Sequence, residues 1–157
     1  GSFLLTGVAS VALAVWLFSY ALARRTIGGT GLARYIAACL LAGYGWLALG
    51  GALLSLARAY DGALHAVLVG FVFSMVFGHA PVIAPAVLRR PLPYTPWFYL
   101  PLFVLHGSLA IRIAGGFAGD PSMRSVGSAG NALAFALFDA TAATQAFRGP
   151  MPVRTGA

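Results

Sequence analysis

The stretch GALHAVLVGFVFSMVFGHAPVIAPAVL, residues 62–88, decides how the chain is read. Its only ionisable side chains are His65 and His79. About 20 apolar helical residues span the hydrocarbon core of a bilayer, so the stretch predicts a transmembrane helix. Gly62, Ala66, Gly70, Ser74 and Gly78 recur in it at every fourth position. Small residues at that spacing allow a close approach. The stripe is expected to pack against another helix, so that the chain oligomerises or docks in a larger complex, or to form a groove for a planar macrocycle. Pro81 and Pro85 each remove a helical hydrogen bond and predict a kink beside His79.

Four more apolar stretches of this kind flank it, giving spans at 2–23, 35–57, 62–88, 97–116 and 127–147. Hydrophobic residues make up 60% of the 157 residues and charged residues 8%, against roughly 25% charged in a soluble domain. A chain this short cannot hide so much apolar surface from water. The expected fold class is therefore all-α: a polytopic membrane helix bundle of about five transmembrane helices, one domain over 1–157. No basic region precedes the first span and Arg24-Arg25 follows it, so it reads as a retained span rather than a signal peptide. Gly28-Gly29-Thr30-Gly31 has no strand before it and is not a nucleotide loop. The lone Cys39 excludes an internal disulfide and a paired-cysteine zinc site.

All ten basic residues are Arg, and Lys and Glu are absent. Segments 24–34, 88–96 and 148–157 carry seven: Arg24, Arg25, Arg34, Arg89, Arg90, Arg148 and Arg154. The opposite side carries Arg58, Arg112 and Arg124, with Asp61 and Asp120. The positive-inside rule then predicts N-out/C-in topology. Because the Arg residues sit singly or in pairs between apolar runs, the net charge of +7 is read as topogenic, and no nucleic-acid partner is expected.

Counted from the predicted cytoplasmic helix ends, Tyr44, His79, His106 and Asp139 all fall about 13 Å deep. Ionisable groups at such depth are costly, face the bundle interior and serve function. Two imidazoles from neighbouring helices are the axial pair of a b-type haem. They also suit copper with a third ligand, or the magnesium of a chlorophyll-type pigment beside Phe71, Phe73 and Phe77. His79 and His106 are the expected ligands, with Tyr44 and Asp139 supporting them. Arg112 lies at a height suited to haem propionates or to snorkelling towards headgroups. His65 is a further candidate; on a regular α-helix it lies roughly 21 Å from His79 and within about 40° of the same face.

The order of these features resembles the C-terminal half of the NnrS family of polytopic bacterial membrane proteins. The resemblance rests on YGWLALGGALL (44–54), ALHAVLVGFVFSMVFGHAP (63–81), LH (105–106), RIAGG (112–116), NALAFALF (131–138) and FRG (147–149). It implies a place in a bacterial inner (cytoplasmic) membrane, association with haem and copper and a redox or nitric-oxide-related role, with His65 and His79 matching the family's motif. NnrS proteins are roughly twice as long and tend to carry a His-Thr-Gly-Arg-Pro run where this chain reads Gly78-His79-Ala80-Pro81. A stand-alone half, a homo-oligomer or a subunit of a larger membrane complex would each suit the shorter chain.

Two other readings follow from the residues. One is a non-catalytic accessory subunit of a respiratory or photosynthetic complex, pigment-binding or not. The other is a small transporter or channel with Asp139 on an ion path, disfavoured by the lack of paired acids or broken repeated helices. The charge bias predicts that single cysteines at Thr30 and Thr95, in a Cys39→Ser background, resist a membrane-impermeant thiol reagent in intact cells. A cysteine at Ala118 should label; the opposite pattern would invert the topology.

Overall fold

The computed structural model describes residues 2–56, 59–89 and 92–148. Arg58, Arg90 and Arg154, counted in the charge bias, lie outside them. The described residues are helical apart from short connections: α1 Ser2–Tyr20, α2 Ala23–Thr26, α3 Gly31–Ser55, α4 Tyr60–His65, α5 Phe73–Leu88, α6 Tyr99–Ala118 and α7 Pro121–Arg148. A π-helical segment, Ala66–Val72, joins α4 to α5 in one continuous rod, and a 3₁₀ turn, Pro96–Phe98, leads into α6.

Among the described residues, four stretches are long and apolar enough to cross a membrane: Ser2–Tyr20, Gly31–Ser55, Tyr60–Val87 and Pro96–Ala118. They correspond to the first four predicted spans. α7 is longer than the predicted 127–147, but its first half carries Ser122, Arg124, Ser125, Ser128 and Asn131, which lower its apolar content. Part of this polarity is turned inward, because Asn131 is buried and its Oδ1 accepts a hydrogen bond from Ser108 Oγ (2.6 Å).

Connection chemistry sets the helix ends. Gly119, at φ 66°, stops α6 in the left-handed region, where a residue without Cβ is least strained. Asp120 then caps α7, whose first residue is Pro121. Its Oδ1 accepts from the Ser122 hydroxyl and from the backbone N–H groups of Ser122 (2.8 Å) and Met123 (3.3 Å). These bonds, that of the Ser122 hydroxyl foremost, hold its carboxyl below the usual carboxylate range.

Between the helices, small residues decide the spacing. A Cβ on Gly51 of α3 would lie 2.7 Å from Gly7 O of α1, and one on Gly43 would lie 2.6 Å from Met75 Cε. All five residues of the small stripe, Gly62 to Gly78, are buried within the chain. A Cβ on Gly70 would overlap Trp46 Cγ, and one on Gly78 would reach 3.0 Å from Cys39 Cβ. α3 therefore occupies the groove that the stripe forms.

The π segment explains how a strict period of four stays on one side. On a pure α-helix such a stripe drifts about 40° per step, because a turn takes 3.6 residues. The i→i+5 bonding of Ala66–Val72 widens the turn and takes up that drift. The same change breaks the α-helical count that put His65 and His79 on one face. Pro81 and Pro85 both lie inside the uninterrupted α5.

Two buried clusters form the core. One gathers Tyr35 and Cys39 of α3, Phe77 of α5, Leu102 and Leu105 of α6 and Phe138 of α7, with Phe77 and Phe138 stacked at 4.0 Å. The other holds Leu53, Ala63, Ala66, Leu109 and Ile113. Since the stripe packs inside the chain, Gly70→Leu should lower stability by about 1–3 kcal/mol through overpacking. Thermal unfolding in detergent would register this, with the oligomeric state of the remaining folded protein unchanged. A natively stable variant with altered assembly would place the stripe between copies instead.

Candidate functional site

The three histidines sit in different chemical settings. His79 is exposed on the side of α5, in a stripe with Val72, Val76 and Ile83, which are exposed too. Its Nδ1 lies 2.8 Å from Met75 O. A carbonyl oxygen only accepts, so Nδ1 carries the proton and a neutral ring keeps the Nε2 lone pair. His65 repeats the arrangement one π segment earlier: Nδ1 is 2.8 Å from Asp61 O and 3.4 Å from Asp61 Oδ1. A ligating histidine characteristically donates its other N–H to a carbonyl or carboxylate in this way.

His106 is held in the other sense. Trp46 Nε1 donates to its Nδ1 at 2.7 Å, with the two rings nearly parallel at 16°. The indole is a donor only, so Nδ1 must accept and a neutral ring carries its proton on Nε2. That Nε2 is buried and has no hydrogen-bond partner among the described residues. Gly70 makes the bond sterically possible, because the Trp46 ring occupies the space a Cβ would take. Three helical segments therefore meet here: the π segment supplies the gap, α3 the indole and α6 the imidazole.

No hydrogen bond or ring contact joins His79 to His106 among the described residues. Tyr44 is buried on α3, and Asp139 is exposed on α7 without a hydrogen bond or ion pair among the described residues. No group of three His, Cys, Asp or Glu side chains is placed to hold a metal ion among the described residues. In the tautomers these hydrogen bonds require of neutral rings, His79 and His65 present a free lone pair and His106 presents a donor.

Arg112 belongs to a second constellation, at the helix ends near the N-terminus. Its Nη2 lies 3.3 Å from both Asp61 carboxylate oxygens, and its Nη1 donates to Ser128 Oγ. Arg124 Nη2 reaches Asp61 Oδ2 at 3.3 Å. Asp61 thus ties α4 to α6 and α7. The close crossing beneath it depends on Gly127, where a Cβ would lie 2.6 Å from Arg112 Cβ.

A family model covers almost the whole of this architecture. The chain belongs to the DUF8744 family. That model, described as a domain of unknown function, matches residues 1–147. No curated protein and no solved structure matches the chain.

Sequence reading singled out His65, His79, His106 and Arg112 but missed Trp46, Asp61 and Ser128 as their partners. Trp46 lies within the quoted 44–54 stretch, yet nothing in its spacing indicates an indole aimed at residue 106. Asp61 has a legible signal, as an acid at a helix start on the side that also carries Arg112 and Arg124.

Proposed function

We propose that the chain is a multi-pass protein of a bacterial inner membrane, with five spans in N-out/C-in topology, that contributes His79 as an axial ligand to a haem or related metal macrocycle. The observation that carries this reading is the Nε2 lone pair of His79, in an exposed and otherwise apolar stripe. An ionisable group facing hydrocarbon is costly and implies a covering group. A b-type haem laid against Val72, Val76 and Ile83 would supply both the cover and the bond. Bound there, such a group supplies one-electron chemistry or binds a diatomic gas such as nitric oxide. The chain's own task is to fix the imidazole through Met75 O. A copper ion would need ligands from a partner.

The reading includes association. α7 presents Ala132, Ala136, Ala140 and Ala143 on an exposed face beside the unpaired Asp139. Small residues at this spacing admit a second helix. A homo-oligomer, or a place in a larger complex, would cover this face. The same observation favours the second reading, an accessory membrane subunit whose histidines carry only structure.

Absorption spectra of the purified protein, oxidised and reduced, separate the two. Haem gives sharp reduced bands, and a chlorophyll-type pigment absorbs in the far red. His79→Ala should remove most of the bound absorbance, whereas Trp46→Phe should retain it. Unchanged spectra in His79→Ala, or protein without pigment or metal by elemental analysis, would overturn the ligand role and leave the accessory reading.

A further inference from the structure

The Asp61–Arg112–Arg124 constellation is not used by the His79 reading, and it borders a cavity. Asp61, Gly62, Arg112, Ile113, Gly116 and Arg124 line a space of about 100 Å³. We propose that this space binds the phosphate of a membrane phospholipid.

Charge is the first support. Two guanidinium groups converge on one carboxylate, and Asp120, the other acid at this end, pairs with neither among the described residues, so the constellation itself carries an excess of one positive charge. The second support is an unused donor. Both Nη atoms of Arg112 are engaged, by Asp61 and Ser128, but its Nε is buried with no partner among the described residues. Buried N–H groups on a charged side chain call for an acceptor. Phosphate oxygens accept several charge-assisted bonds at once and suit Arg above other cations.

Position points to a lipid as the source of that phosphate. Asp61 is the second residue of α4 and Arg124 the fourth of α7. Arg112 lies six residues before the end of α6, roughly 9 Å along the axis. The cavity therefore opens where helices leave the hydrocarbon, at headgroup level. Tyr60, the neighbour of Asp61, lines a second pocket with Phe3, Leu53 and Leu54, of about 230 Å³ and almost wholly apolar. That pocket offers apolar surface for an acyl chain of a lipid whose phosphate the arginines hold.

Gly116 offers a clean test, because a Cβ there meets no atom within 4 Å. Gly116→Leu places bulk beside the arginines at a lining position, with no clash at its Cβ. Native mass spectrometry of the delipidated protein, titrated with phosphatidylglycerol, reads occupancy directly. The wild type should retain one lipid more tightly than the rest. Gly116→Leu and Arg124→Gln should each weaken that binding about tenfold, the loss of one charge-assisted contact or of its space. Arg24→Gln, on the remote end of the bundle, should leave it unchanged.

Arg112→Gln also removes the tie to Asp61 and so perturbs the fold; the other two variants decide the matter without it. Retention of phosphatidylglycerol at wild-type affinity by both Gly116→Leu and Arg124→Gln would overturn the proposal. Inorganic phosphate binding as tightly as the lipid, or displacing it completely at equal concentration, would overturn the lipid assignment.

Discussion

Everything in this bundle depends on how closely α3 can approach its neighbours. In lipid, apolar surface gains little by leaving hydrocarbon for another helix, so packing and interhelical hydrogen bonds hold helices together. Gly7 meets the backbone of Gly51, and Gly70 admits the Trp46 ring, at distances a Cβ would not allow; Gly43 faces the side chains of Met75 and Ser74. α1 shows how narrow the margin is: most of its side chains face outward, and its seat on α3 is built around Gly7 and Ala14.

Close approach also fixes the chemistry of the polar groups. The indole of Trp46 reaches His106 only because residue 70 has no side chain, and once there it determines which imidazole nitrogen carries the proton. His65 and His79 take the other tautomer from carbonyls of their own helix. Three histidines thus divide into two ligand-ready rings and one donor, a division set by backbone geometry rather than by residue type. Arg112 follows the same logic at the helix ends, where Gly127 lets α7 come close enough for Ser128 to meet the guanidinium.

The helical architecture was largely legible in the sequence, because length and apolar content alone dictate spans in a bilayer. The first four predicted spans differ from the structure by a few residues at their ends. The π segment was not legible: its residues are ordinary helix formers, and a period of four fits either helix type until neighbours select one. That missing step carries over to the site, since the angle between His65 and His79 was counted on α geometry. Shared depth drew His79 and His106 together in the sequence, but depth says nothing of direction, and one ring faces outward while the other meets Trp46. Apolar content predicts the last span only from residue 127, whereas α7 begins at Pro121 with a polar turn organised by Asp120.

Nitrogen-15 NMR of histidine-labelled protein in bilayers tests this division most directly, because protonated and unprotonated ring nitrogens resonate far apart. The packing described predicts two neutral rings protonated on Nδ1, assigned by loss in His65→Gln and His79→Gln, and one protonated on Nε2, assigned to His106. In Trp46→Phe the His106 signal alone should shift. Three rings of one tautomer, or a His106 signal indifferent to Trp46, would contradict it.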